Sequence, residues 1–325
     1  MKPLFLFFLS AIYALISLDA TEPGVKESIA VCIKSIPSKE RELLSRFFKR
    51  LFYHGDFSYT LLGLKPMGSI DYNLNLLAFP QFYKEPEKHL FLMALDKKGW
   101  EIWEQYKDLF LMKKYSFIKV EHDSFFGFLL INKEKTYAII EENLPTFQEL
   151  IGDGVCATDI LKLLCEGKFG YYHSNVPCLI AYYKALGLLY GYGEENVKFF
   201  AKREKLLQTL KSLPIEIKTL PSEVVNYLEM EETPKICAKC QVKDDFMISS
   251  LTFELKNLLD TTRLIKGTKK NNPFLPIKKS FFLGDEKLPQ TQTIIDNYDK
   301  LNDTILKIYE SDNFLETVLG MLGSS

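Results

Sequence analysis

Apolar and polar positions divide the chain into segments of different period. The first is uniform. Leu4 to Leu18 (LFLFFLSAIYALISL) is uncharged and mostly apolar, with Lys2 before it and Asp19 after it. Its apolar residues occupy every helical face, and it falls short of the roughly 20 residues a spanning helix needs. Such a run suits the core of a secretory signal. Residues 1–20 are therefore expected to be a signal peptide, cut after Ala20 or after Ser17. Leu18 and Leu15 at the two −3 positions fit either cut poorly, so an uncleaved membrane anchor and a buried N-terminal helix stay open.

Residues 21–37 read as an extended lead-in. From Ser38, Leu43, Leu44, Phe47, Phe48, Leu51 and Phe52 recur at helical spacing with Arg46, Lys49 and Arg50 opposite, and Gly55 is a natural stop. Phe57 to Phe79 carries Gly63, Pro66 and Gly68 between short apolar runs and predicts strands joined by turns. His89 to Leu95 predicts a strand, and Trp100, Trp103, Tyr106 and Phe110 mark one face of a helix. Phe117–Val120 and Phe125–Ile131 predict strands; Asn132–Lys135 reads as a turn and Tyr137–Ile140 as a returning strand. Pro145 opens a short helix ended by Gly152, and Thr158–Glu166 predicts another, stopped by Gly167.

Asn175 to Tyr190 has Lys184 as its only charge and predicts a buried helix. After Gly191 and Gly193, Glu194 to Leu210 is amphipathic, with Val197, Phe200, Leu207 and Leu210 inward. Pro214, Pro221, Pro234 and the acidic run Glu229, Glu231, Glu232 place a boundary near residue 230. Phe246–Leu264 and Gln292–Leu322 are helical by pattern, with residues 265–289 between them as a long loop. The fold class is thus α+β: mainly helical, with a small antiparallel sheet including a hairpin near 117–140 and a buried αα-hairpin near 175–210. The domains expected are 1–20, the signal; 21–230, an α+β globular body; and 231–325, a helical C-terminal region with a basic loop.

Composition narrows this only a little. Of 325 residues 47% are hydrophobic and 26% charged, enough apolar surface for a packed core. Phe (25) and Tyr (17) far outnumber Trp (2), so that core should be aromatic. A formal charge of −1 gives no general electrostatic case for nucleic acid.

Three stretches carry a resemblance: FFKRLFYHGDFSYTLLGLKP (Phe47 to Pro66), FLLINKEKTYAIIEENLPTFQELIG (Phe128 to Gly152) and LGLLYGYGEENVKFFAKR (Leu186 to Arg203). In this order they resemble segments of a group of exported proteins from chlamydia-related and some other intracellular bacteria. The resemblance covers Ser38 to Leu213. It implies export and a bacterial source, and it carries over no activity.

Candidate chemistry is sparse. Cys237-Ala-Lys-Cys240 has metal-like or redox-like spacing, but no second CxxC and no H-x3-H supplies further zinc ligands. Cys165, His173 and Cys178 could join it only through the fold. In an exported chain the pair reads as a local disulfide or as two thiols. Cys32, Cys156, Cys165 and Cys178 stand mostly in apolar settings. Gly191-Tyr192-Gly193 precedes a helix as a phosphate turn does, but Glu194 and Glu195 would repel phosphate, and a tight helix–helix turn explains the glycines. His54 and Asp56 with Ser58 suggest a hydrolase; no G-x-S-x-G accompanies them, and His54 also fits a helix C-terminus. Trp100, Trp103 and Tyr106 could form a ligand platform or simply pack. Arg263, Lys266, Lys269, Lys270, Lys278 and Lys279, interleaved with Phe274, Phe281 and Phe282, could meet an anionic surface or form a solvated loop.

These signals favour a non-enzymatic exported binding or interaction protein, periplasmic or secreted, anchored if the signal is retained. Its partner would be a protein or an anionic membrane surface, and no cofactor or metal is expected. The alternatives are an exported hydrolase with a scattered site and a membrane-surface protein using the basic loop.

Overall fold

The computed structural model describes residues 23–53, 55–73, 86–122, 125–169, 179–212, 253, 263–266 and 281–323. It is mostly helical around one three-stranded antiparallel sheet, an α+β fold. The predicted signal, residues 1–20, lies outside the described residues. So do the expected boundary near 230 and most of the 246–264 segment.

Helix α1 (Pro23–Ser35) leads into α2 (Ser38–Tyr53) and α3 (Gly55–Leu61). Strand β1 (Met67–Asn73) follows, then α4 (Pro86–Tyr106), β2 (Tyr115–His122) and β3 (Phe125–Asn132). The sheet order is β1-β3-β2. Because side chains alternate across a strand, the central β3 serves both faces. Phe126, Phe128 and Leu130 point to one face, where Phe47 and Phe48 of α2 and Trp100 and Trp103 of α4 meet them and Phe117 in an aromatic core. Gly99 admits this contact: a Cβ there would lie 2.4 Å from the Phe47 Cβ.

Met67 and Ile131 point to the other face. Four helices cover it: α5 (Lys133–Glu142), α6 (Leu144–Ile151), α7 (Ala157–Cys165) and α8 (Leu179–Leu189). Asn132 ends β3 and starts α5, its side-chain oxygen accepting from the Lys135 N–H at 3.2 Å. Helix α9 (Glu194–Ser212) folds back on α8, so close that a Cβ on Gly187 would stand 2.7 Å from Val197 Cγ2. Gly191 and Gly193 take φ of +71° and +85° in the turn between them.

After the short pair β4 (Arg263–Lys266) and β5 (Phe281–Gly284), α10 (Pro289–Glu310) and α11 (Phe314–Gly323) complete the first core. Tyr298 stacks on Tyr59 at 4.4 Å and Phe314 meets Phe52 edge-on at 5.5 Å. One buried cluster therefore runs from Ile29 to Leu322. Buried Asp96 is held in its wall by Nε and Nη2 of Arg50, at 2.6 and 3.0 Å, and by the Tyr72 hydroxyl.

Several expected elements are corrected. Residues 23–35 are helical rather than extended, because Ile29, Ile33 and Ile36 sit at helical spacing and bury against α11. Residues 55–61 are helical where a strand was expected; α2 does end just before Gly55, which then opens the next helix. His89–Leu95 belongs to α4: its apolar run has no period of its own, and Asp96, Gly99, Trp100 and Trp103 continue it on a buried helical face. The hairpin is β2–β3 alone; Tyr137–Ile140 is the middle of α5, where Thr136 and Ile140 bury one turn apart. Residues 263–266 and 281–284 are strands, which replaces the end of one expected helix and parts of the expected loop. Of the αα-hairpin, α8 is less enclosed than expected. Ala181, Ala185, Leu188 and Leu189 are buried, while Tyr182, Tyr183, Lys184 and Leu186 are half-buried.

Candidate functional site

The densest polar grouping among the described residues surrounds Lys65. Helix α3 ends at Leu61, and Gly63 at φ +74° reverses the chain. The N–H groups of Leu64 and Lys65 then both donate to the Tyr59 carbonyl, at 2.7 and 3.2 Å. This fold-back carries the Lys65 side chain under α3, to the carboxylate of Asp56 in the first turn of that helix. Lys65 is 1% exposed. Three tyrosine rings lie about its ammonium, Tyr192 at 5.0 Å, Tyr298 at 5.8 Å and Tyr190 at 5.9 Å, in cation–π range.

Two hydrogen-bond arms leave this node. Tyr59 donates to Asn302 Oδ1 of α10 at 2.6 Å. Tyr190 donates to Ser69 Oγ at 2.7 Å, and Ser69 donates to Asp71 Oδ2 at 3.0 Å. Asn302 Nδ2 is buried and has no hydrogen-bond partner among the described residues.

The titration behaviour follows from this packing. Burial raises the phenols of Tyr59, Tyr190 and Tyr192 well above the usual tyrosine range, and Lys65 only partly offsets it at Tyr192. They remain hydroxyl donors at any physiological pH. Burial also pushes the Asp71 carboxyl up to about 6, opposed by the Ser69 hydrogen bond and reinforced by the charge of Asp56. By surface area the residue is exposed, and it is Oδ1 that is enclosed, 2.6 Å from the point a Cβ on Gly127 would occupy. Partial hydration limits the size of that effect.

The residues singled out from sequence separate here. Asp56 is Lys65's partner. Ser58, on the same helix, is 0% exposed, so its hydroxyl faces no substrate. His54 lies outside the described residues. Trp100 and Trp103 are core residues, and Tyr106 donates to Glu40 at 2.6 Å on the surface, so the three form no platform.

Gly191 and Gly193 make the expected tight turn. The N-terminus of α9 is occupied by this chain's own Gln290, whose Oε1 accepts from the Glu195 N–H at 3.1 Å. Gly193 leaves room for it: a Cβ there would lie 2.6 Å from the Gln290 amide carbon.

Cys237 and Cys240 lie outside the described residues, as do His173 and Cys178. Cys156 is exposed, which corrects the apolar setting expected for it; its thiol donates to Asp159 at 2.9 Å. Cys165 is half-buried, and burial raises its thiol. Among the described residues no group of His, Cys, Asp and Glu could hold a metal ion. Arg263 and Lys266 end strand β4, and Lys269, Lys270, Lys278 and Lys279 lie outside the described residues.

Sequence reading missed the Lys65 node, the Arg50–Asp96–Tyr72 lock and the buried Arg203–Glu204 pair (2.7 Å). A signal for the first existed in LGLKP followed by GYG, two glycine turns flanked by Lys and Tyr. Nothing in either segment says that they meet. Comparison with known proteins yields no family model, no curated protein and no solved structure that matches this chain.

The arrangement is chemically a closed lock. Its ammonium is neutralised by a carboxylate, its phenols stay protonated, and the nearby Ser58 is sealed.

Proposed function

We propose that this chain is an exported, non-enzymatic interaction protein of an intracellular bacterium. The observation that carries the reading is the state of the one hydrolase-like grouping the sequence offers: Asp56 is bound to Lys65 and Ser58 is sealed in the core. Export rests on the apolar Leu4–Leu18 run and on the resemblance of residues 38–213 to exported proteins. Among the described residues no helix is long and apolar enough to cross a membrane.

Expression of the full chain in a bacterial host tests both halves. Mass spectrometry of the fractionated protein should find a new N-terminus near Thr21 outside the cytosol. An intact Met1 in soluble cytosol would contradict export. Ester and amide substrates should show no turnover that depends on Ser58; activity present in the natural chain and lost in Ser58→Ala would establish the hydrolase instead.

A further inference from the structure

The connection between α4 and β2 holds apolar side chains in solvent. Its single helical turn, Lys107–Leu109, ends at Phe110, whose backbone is extended (φ −118°, ψ 106°) and whose N–H donates to the Lys107 carbonyl at 2.9 Å. Phe110 is buried and stacks on Trp103 at 5.8 Å. Successive side chains of an extended chain point to opposite sides, so with Phe110 fixed inward its neighbours leave outward. Leu109 is 44% exposed and Leu111 73%, more than any other large apolar residue among those described. Met112 then packs against the core again. Anchored neighbours on both sides therefore keep Leu111 out.

Lysines surround this tip. Lys113 and Lys114 follow it directly. The Lys133 N–H donates to the Lys114 carbonyl at 2.9 Å, which brings the first turn of α5, with Lys133 and Lys135, alongside. Lys133 Nζ donates to the Met112 carbonyl at 3.2 Å and fixes the loop from that side. Lys107 is bound to Glu104. Among the described residues, however, none of Lys113, Lys114, Lys133 and Lys135 forms an ion pair with a carboxylate. Asp108 and Glu134 are the acidic residues of segments 107–114 and 133–135, so these four lysines face two carboxylates.

Two outward leucines among unpaired lysines match a surface with an apolar layer beneath anionic charge. An anionic bilayer is such a surface: lysines meet its phosphates and leucines enter the acyl boundary. A nucleic-acid backbone or an acidic protein face answers the lysines but offers no apolar layer to Leu109 and Leu111.

We infer that the Leu109–Lys114 loop, with Lys133 and Lys135 of α5, is a contact site for an anionic lipid surface, Leu109 and Leu111 entering between the headgroups. The site is separate from the basic segment 263–279. So few apolar groups make a reversible contact rather than an anchor. The inference rests on the reading of this chain as an exported interaction protein and names a membrane surface as its partner.

Trp100 and Trp103 are buried, so a tryptophan placed at the tip reports separately from them. Leu111→Trp in the full chain is titrated with vesicles of phosphatidylcholine and phosphatidylglycerol in equal parts, their acyl chains carrying bromine as a contact quencher. Reading residue 111 keeps any insertion of the apolar Leu4–Leu18 run out of the result. The tip should be quenched, at a half-saturating lipid concentration roughly tenfold or more below that for pure phosphatidylcholine. In the same background, Lys113→Glu with Lys114→Glu should raise that concentration roughly tenfold or more and leave the melting temperature nearly unchanged. Leu109→Ser, at a second outward position, should weaken the contact by about tenfold without reversing any charge.

Absence of quenching at residue 111, equal quenching by neutral and anionic vesicles, or indifference to both variants would overturn the proposal. So would an affinity for polyglutamate or duplex DNA equal to that for the vesicles, since charge without an apolar layer would then suffice. Any of these failures leaves the cleavage and turnover measurements standing. A cytosolic, uncleaved chain whose tip still met the vesicles would remove the export reading alone.

Discussion

Lys65 shows how a buried charge can be held by residues distant in sequence. Its carboxylate partner is nine residues away, while its ring neighbours lie on the α8–α9 turn and on α10. Lys65→Met should leave Asp56 without its cation in a site 26% exposed. A fully buried orphan charge costs about 3–5 kcal/mol; here, with water reaching Asp56, roughly 2–4 kcal/mol is expected in chemical denaturation. Gly99→Ala should also destabilise, by about 1–3 kcal/mol, although alanine favours helices, because the new methyl meets Phe47. Asp71 adds a pH dependence with a definite sign. Its folded carboxyl titrates near 6, above the usual value near 4, so its protonated form is the one the fold favours. That contribution is fully present below about pH 4 and is lost as pH rises through about 6. Asp71→Asn should therefore raise the melting temperature at pH 7 relative to the natural chain and change it little at pH 4.

At the scale of elements, α9 is tied to the C-terminal region by Asn196. Its Oδ1 accepts from Thr291 Oγ1 at 3.0 Å and from the Asp285 N–H at 3.3 Å, and its Nδ2 donates to the Tyr192 carbonyl at 2.9 Å. Asn196→Ala should cost about 1–3 kcal/mol by leaving these buried groups unpaired. It should also speed amide exchange at residues 285–291 more than in α2. Elements with one clean period were legible in sequence: α2, β2, β3, α7 and α9 stand where their apolar spacing puts them. Elements whose period is blurred were not. Helix α1 opens on Pro-Gly, which reads as a loop although proline is at home in a first helical turn. The first half of α4 carries six apolar residues in a row, Leu90 to Leu95, of which Phe91 stays 62% exposed, so the run shows no period. The candidate site was less legible still. Asp56 and the GYG turn were visible, but the meeting of Lys65, Tyr190, Tyr192 and Tyr298 is a product of tertiary packing across more than 200 residues.

For the molecule as a whole, polar chemistry is directed inward to locks, and among the described residues strand β2 has one strand neighbour, β3. The pairs Lys65–Asp56, Arg50–Asp96 and Arg203–Glu204 each join side chains inside the packed body. Along β2 every second residue turns its N–H and C=O away from β3, and among the described residues no further strand meets them. Amide hydrogen exchange of the free full-length chain, resolved residue by residue along β2, tests this most directly. The amides of Ile118 and Val120, bonded to β3, should exchange slowly. Those of Phe117, Lys119 and Glu121 should exchange roughly a hundredfold faster or more, as solvent-facing edge groups do. Uniformly slow exchange from Tyr115 to Glu121 would mean that the edge is already covered, and would contradict this account of the sheet.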